Sequence, residues 1–275
     1  MDITQKGSFI MRHAFGFSRR RFLASSAALA TFTIPRRSLF GQTLNAPPGK
    51  QFRFAKIGCG GMGGADLNST VSSGGIVVGL CDVDPKRAEK AYQSYPDVPK
   101  FTDYRKMLDK LEKEIDGVVI STPDHTHACA ALDAMRRGKH VYVQKPLART
   151  YEECRLLLEA TRKYKVVTQM GNQGHAGPGL ILWKKMMDAK AFGEIEQVHT
   201  WSDRPIWPQG MTEKPKEDPV PEGFDWDSWI GPASMRPFST AYVPFKWRGW
   251  WDFGCGAIGD MACHNMDPAF WILQL

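Results

Sequence analysis

The sequence predicts an α/β chain organised around a doubly wound parallel sheet, and three observations carry that reading. From residue 52 to about residue 170, short apolar runs alternate with helical patterns, the spacing of strands joined by crossover helices. A glycine-rich turn, Gly58-Cys59-Gly60-Gly61-Met62-Gly63, separates the first run from the first helical pattern. The second run ends on an acid, Asp82, about twenty residues past that turn. Strands are expected over 52–57, 76–81, 117–121, 140–144 and 166–170, with helices over 62–72, 85–94, 104–113, 126–137 and 151–163.

Each element places something at the carboxyl edge of the sheet, where ligands of such folds bind. After the first strand, Gly58 turns the chain, Gly60 lets the backbone approach a pyrophosphate, and Gly63 lets the new helix pack on the sheet. Met62 lies in the same turn, at a helix N-terminus whose free N–H groups and dipole suit phosphates. Asp82 can accept from ribose hydroxyls, which favours NAD over NADP, because the extra phosphate would meet a like charge. After the strand at 117–121 comes Thr122-Pro123-Asp124-His125-Thr126-His127. Pro123 sets the turn, Asp124 or Thr126 can cap the next helix, and His127 is expected to face the cleft. After the strand at 140–144, Lys145-Pro146 sets an ammonium where the nicotinamide end of a cofactor belongs.

The later half offers Asp260 and His264, four residues apart, so that on a helix they share one face. Read without context, they are equally an intrahelical pair with no chemistry. Seven tryptophans between residues 200 and 251 suit either stacking on sugar faces or packing of a loop-rich unit. Gly171-Asn172-Gln173-Gly174-His175 could present Asn172 and His175 to hydroxyl groups, and residues 264–275 read as a helix.

Together Gly58 to Gly63, Asp82, Thr122-Pro123 with His127, and Lys145-Pro146, in this order, resemble the glucose-fructose oxidoreductase, inositol dehydrogenase and rhizopine catabolism (Gfo/Idh/MocA) family. The resemblance implies a Rossmann domain followed by an α+β domain with a mostly antiparallel sheet, incomplete here, and a catalytic set of Lys145, Asp260 and His264. Lys145, Asp260 and His264 would also touch substrate. The family commonly has Glu before that lysine; Gln144 stands here. The implied activity is hydride transfer from a sugar, sugar derivative or polyol to NAD. Two alternatives remain: a redox-neutral, NAD-dependent glycoside cleavage by oxidation and elimination, and a non-catalytic nucleotide- or sugar-binding protein.

Residues 1–50 carry eight basic side chains and one acid, a net charge of +7 that equals the net charge of the whole chain. The remainder is therefore neutral, which argues against nucleic acid as a partner. Ser18-Arg19-Arg20-Arg21-Phe22-Leu23 ahead of a short apolar run looks like a twin-arginine export signal. A twin-arginine translocase and a periplasmic or cell-surface location follow as expectations, with a tightly held cofactor because no NAD pool exists there. The organisation expected is a leader over 1–50, a nucleotide-binding domain over 51–170 and a truncated substrate domain over 171–275. A homo-oligomer remains open. The six cysteines show no zinc spacing and are read as reduced; no metal site is expected. No segment is apolar for long enough to span a membrane.

Overall fold

The computed structural model describes residues 51–275; the export-signal reading lies outside them. Six parallel strands form the central sheet: β1 (Arg53–Ile57), β2 (Ile76–Cys81), β3 (Lys100–Phe101), β4 (Gly117–Ile120), β5 (His140–Gln144) and β6 (Thr168–Gly171). Their order is β3-β2-β1-β4-β5-β6. The order reverses between β1 and β4, and a cleft opens at the carboxyl ends of strands at such a switch point. Helices α1 (Met62–Ser72), α2 (Pro85–Ser94), α3 (Tyr104–Leu111), α4 (Asp124–Arg136) and α5 (Tyr151–Tyr164) fill the crossovers.

Strand alternation divides the apolar residues between two faces. On one, Ala55, Ile57, Val118, Ile120, Val141 and Val143 pack beneath alanines of α4 and Leu157 of α5. On the other, Phe54, Val77, Leu80 and Val119 pack with Leu67 of α1 and Ala88 of α2. Burial on both faces explains why these strands read as continuous apolar runs. Helix starts follow local chemistry: the Asp84 side chain accepts from Lys86 N and Arg87 N at the start of α2, and Thr150 and Glu153 form a capping box on α5.

Three details differ from the sequence reading. β3, only two residues long, has too little pattern to register. β6 begins at Thr168 because Lys165 ends α5 in a left-handed conformation. α4 begins at Asp124, and neither Asp124 nor Thr126 caps it: Thr126 Oγ1 donates to Pro123 O, while Asp124 Oδ2 accepts from Cys255 N.

After β6 the described chain is helical and irregular, with α6 (Pro178–Asp188), α7 (Trp226–Ile230), a 3-10 turn (Lys246–Gly249), α8 (Gly256–Asn265) and α9 (Asp267–Leu273). The helix expected over 264–275 is two helices, divided at Met266 with Pro268 in the first turn of the second. Trp226, Trp229, Phe238, Tyr242, Trp247 and Phe253 form an aromatic core, so packing accounts for most of the tryptophans. Trp201 and Trp251 remain exposed. The six cysteines are free thiols, and no helix among the described residues is long and apolar enough to cross a membrane.

His125 pins this aromatic core to α4. Its Nε2–H donates to Trp229 O at 2.9 Å, and its ring packs against Trp229 and Phe253, with centroids 5.1 Å away in each case. Burial pushes the imidazole down to about 4. An imidazole depressed in the fold takes up a proton on unfolding, so its contribution to stability is complete above about pH 6.5 and is lost as pH falls towards 4. Urea unfolding of His125→Phe should show that acid-side loss, roughly 3 kcal/mol between those limits, largely removed; an unchanged slope would place the titration elsewhere.

Candidate functional site

One cleft of about 890 Å³ runs along the carboxyl ends of β1, β2, β4 and β5, from the glycine turn to α8. Gly58, Gly60, Met62, Gly63, Asp82, Thr122, Pro123, Lys145, Asp260 and His264 all line it. Sequence positions as far apart as Gly58 and His264 thus share one surface.

The nucleotide end is built around the glycine turn. Gly58 has φ +78°, and a Cβ there would lie 2.4 Å from Ser121 O; a Cβ on Gly63 would lie 2.1 Å from Gly58 O. Side chains are excluded, and the start of α1 comes close against β4. No side chain caps that helix; Gly63 N and Gly64 N donate back to Gly60 O and Gly61 O, which leaves the amides of Gly61 and Met62 as the donors for an anion at its N-terminus. Asp82 closes the turn: Oδ2 accepts from Cys59 N at 2.7 Å and Gly60 N at 3.3 Å, and Oδ1 accepts from Asp84 N at 3.0 Å. Burial pushes this carboxyl above its ordinary value, against the pull of those amides. Thr122 Oγ1 is buried without a protein partner at the cleft wall. A helix N-terminus without a side-chain cap, an acid beside it and an orphaned hydroxyl fit a dinucleotide.

Beneath the turn lies a buried polar chain. Lys56, fully buried in β1, donates to Ser121 Oγ at 2.5 Å, and that hydroxyl donates to Asp66 Oδ2 at 2.6 Å. Burial lowers the Lys56 ammonium to about 8. Gln144 Nε2 donates to both Asp66 oxygens, at 2.9 and 3.2 Å, and Gln144 Oε1 accepts from Lys145 N. The amide is therefore the group this environment calls for, because a glutamate at 144 would set a second carboxylate against Asp66.

The far end is built around Asp260. Lys145 Nζ donates to Asp260 O at 2.7 Å and to Oδ1 at 2.9 Å. Arg248 Nε and Arg204 Nη1 reach the same carboxylate at 3.3 and 3.4 Å. Burial alone would raise the Asp260 carboxyl; the Lys145 hydrogen bond and charge, with Arg248, outweigh it and hold the group below the usual carboxylate range. His264 follows one turn along α8. Burial, then the charge of Lys145, lowers its imidazole.

Three expected site residues lie elsewhere. His127 does not face the cleft: it is fully buried, with Nδ1 2.8 Å from Pro146 O and Nε2 2.9 Å from Thr122 O, so it ties together the loops after β4 and β5. Asn172 and His175 do not line the cleft, whereas Gln173 between them does. His175 turns away because its Nδ1 pairs with Asp267 Oδ2 at 2.7 Å. Arg204 and Arg248 carry no sequence signature beyond their aromatic neighbours, because both sit in irregular segments without periodicity. Among the described residues no cluster of three His, Cys, Asp or Glu is placed to hold a metal.

Gln144→Glu should lower stability at neutral pH by about 1–3 kcal/mol, the scale of an unsatisfied buried partner, and Asp66→Asn combined with it should recover most of the loss. Denaturant midpoints of the two variants provide the comparison, and equal midpoints for single and double variants would discount the pairing.

Comparison with known proteins places these features in a family. Residues 52–172 match the Gfo/Idh/MocA model described as an oxidoreductase family, NAD-binding Rossmann fold, and residues 192–275 match the model of its C-terminal alpha/beta domain. Levoglucosan dehydrogenase of Pseudarthrobacter phenanthrenivorans is 29% identical over 195 residues, 70% of this chain and 42% of that protein. Inositol 2-dehydrogenase of Salmonella paratyphi B is 32% identical over 145 residues, 50% of this chain and 42% of that protein. A glycosyl hydrolase family 109 protein of Shewanella pealeana is 26% identical over 194 residues, 66% of this chain and 42% of that protein. The chain thus spans 42% of the length of these relatives.

Proposed function

We propose, for a chain that belongs to the Gfo/Idh/MocA oxidoreductase family, that it oxidises a hydroxyl-bearing carbon of a sugar, sugar derivative or polyol with NAD as acceptor. One observation carries the reading: the Lys145 ammonium sits on Asp260, with His264 one turn further along α8, in the same cleft as the glycine turn. The relatives named for dehydrogenation of levoglucosan and inositol support it.

The turn from Gly58 to Gly63, Asp82, Thr122 and Pro123 would hold NAD, which when bound supplies the hydride-accepting ring. His264 takes the hydroxyl proton on an imidazole nitrogen; its lowered pKa keeps that nitrogen free at neutral pH. Lys145 Nζ has one N–H beyond the two directed at Asp260 and donates it to the reacting oxygen, stabilising negative charge as it develops. Asp260 anchors that ammonium.

A second reading draws on the glycosyl hydrolase family 109 relative: the oxidation is transient, elimination of a glycosidic group follows, and no net redox change results. Incubation of the protein with NAD and a panel of polyols, sugars and aryl glycosides separates the two. Accumulating reduced nicotinamide supports the dehydrogenase, aglycone release at catalytic NAD supports cleavage, and neither signal with any carbohydrate would falsify both. Lys145→Ala and His264→Ala should each lower kcat/KM by about 10²–10⁴, and the acid limb of the parental rate should fall below the usual imidazole range.

The leader is proposed to direct export through a twin-arginine translocase, on the strength of Ser18-Arg19-Arg20-Arg21-Phe22-Leu23 and the charge confined to residues 1–50. Replacing Arg19 and Arg20 together by lysine should retain the protein in the cytoplasm. Equal periplasmic recovery of parent and variant in cell fractionation rules the leader out.

A further inference from the structure

The reaction end of the cleft holds more positive charge than its own carboxylates offset. Lys145, Arg204 and Arg248 converge on the single carboxylate of Asp260. The other carboxylate on this side, Asp124, is buried and turned to the backbone, accepting from Cys255 N at 3.2 Å. His264 adds no negative charge in either protonation state. Three cations therefore face two anions, of which only Asp260 hydrogen-bonds to them; Asp124 acts on Arg248 through charge alone.

The two arginines are also short of partners. Charge-assisted N–H···O contacts usually lie at about 2.7–2.9 Å, the distance Lys145 achieves, whereas Arg248 Nε and Arg204 Nη1 stand at 3.3 and 3.4 Å. Arg248 Nη1 donates to Phe245 O at 3.3 Å. Among the described residues, Arg248 Nη2 and the Nε and Nη2 of Arg204 have no acceptor. Aromatic faces hold both guanidinium groups without occupying a donor: Arg248 lies 4.4 Å from the Phe245 ring centre and 4.2 Å from that of Trp247, and Arg204 lies 5.7 and 5.8 Å from Phe245 and Trp207. Two planar forks, both held against Phe245 and lining the cleft with open donors, form a receptor for an oxyanion.

We propose that the substrate end of this cleft selects a carbohydrate bearing an anionic oxygen group, a carboxylate or a phosphate, received by Arg204 and Arg248. The inference rests on the carbohydrate reading above and narrows it. The guanidinium donors that reach Asp260 at long range turn to the substrate anion, while Lys145 stays on Asp260 and remains available to the reacting oxygen. A neutral sugar leaves the surplus charge in place and the open donors unmatched.

Binding of glucuronate, glucose 6-phosphate and glucose to the full chain, measured by calorimetry, tests this directly. At least one of the two anions should bind about tenfold or more tightly than glucose, the preference should shrink with added salt, and the anion that prevails identifies carboxylate or phosphate. Arg204→Gln, at a partly exposed position outside the aromatic core, should reduce the anion-to-glucose ratio by about tenfold; Arg248→Gln should do the same, with thermal melting to confirm that it folds. Glucose binding as tightly as both anions, or an undiminished ratio in Arg204→Gln, overturns the proposal. NAD reduction, read separately, keeps the two claims apart. Turnover of neutral sugars at parity with acids sinks this inference and preserves the oxidoreductase, whereas an arginine-dependent anion preference without any turnover upholds it and sinks the oxidoreductase.

Discussion

The contact between the Lys145 ammonium and Asp260, at 2.9 Å and 115 residues apart in sequence, is the interaction on which the arrangement of the cleft depends. It joins the carboxyl end of β5 to α8, and so brings an element of the second half of the chain over the sheet's switch point. Two mostly buried charges in such a pair are each costly alone, which makes the juxtaposition of β5 and α8 self-enforcing. His264 enters the cleft as a consequence, being one helical turn from the anchored aspartate.

Below that contact the protein uses polar links where an apolar core would leave orientation loose. Asp66 of α1 receives Ser121 from the end of β4 and Gln144 from the end of β5, with Lys56 of β1 behind Ser121. His127 bridges the carbonyls of Thr122 and Pro146 across the same two strand ends. Hydrogen bonds have direction where apolar contact does not, so these links fix where the backbone after β4 and β5 points. Lys145 follows Gln144 directly and inherits that orientation.

Much of this placement is legible in the sequence itself. Apolar runs in parallel strands are buried on both faces and read clearly, and the glycine turn, Asp82, Lys145, Asp260 and His264 sit at places that the strand pattern or a helical spacing of four defines. What escaped was set by tertiary partners. His127 and His175 have the chemistry of site residues, but backbone carbonyls claim one and Asp267 the other. Arg204 and Arg248 come from segments with no periodicity, where nothing local indicates which way a side chain turns. Gln144 looks like a departure from the family until Asp66, seventy-eight residues earlier, supplies its reason.

The hold of Asp82 on the amides of Cys59 and Gly60 has a consequence for recognition. A glycine-rich turn would ordinarily sample many conformations, and a ligand arriving there would have to restrict them. Here an internal carboxylate has already done so, by accepting from two of the turn's amides, Cys59 N and Gly60 N. The chain thus carries its own stand-in for the nucleotide's ordering effect, and a dinucleotide meets a receptor whose shape predates it.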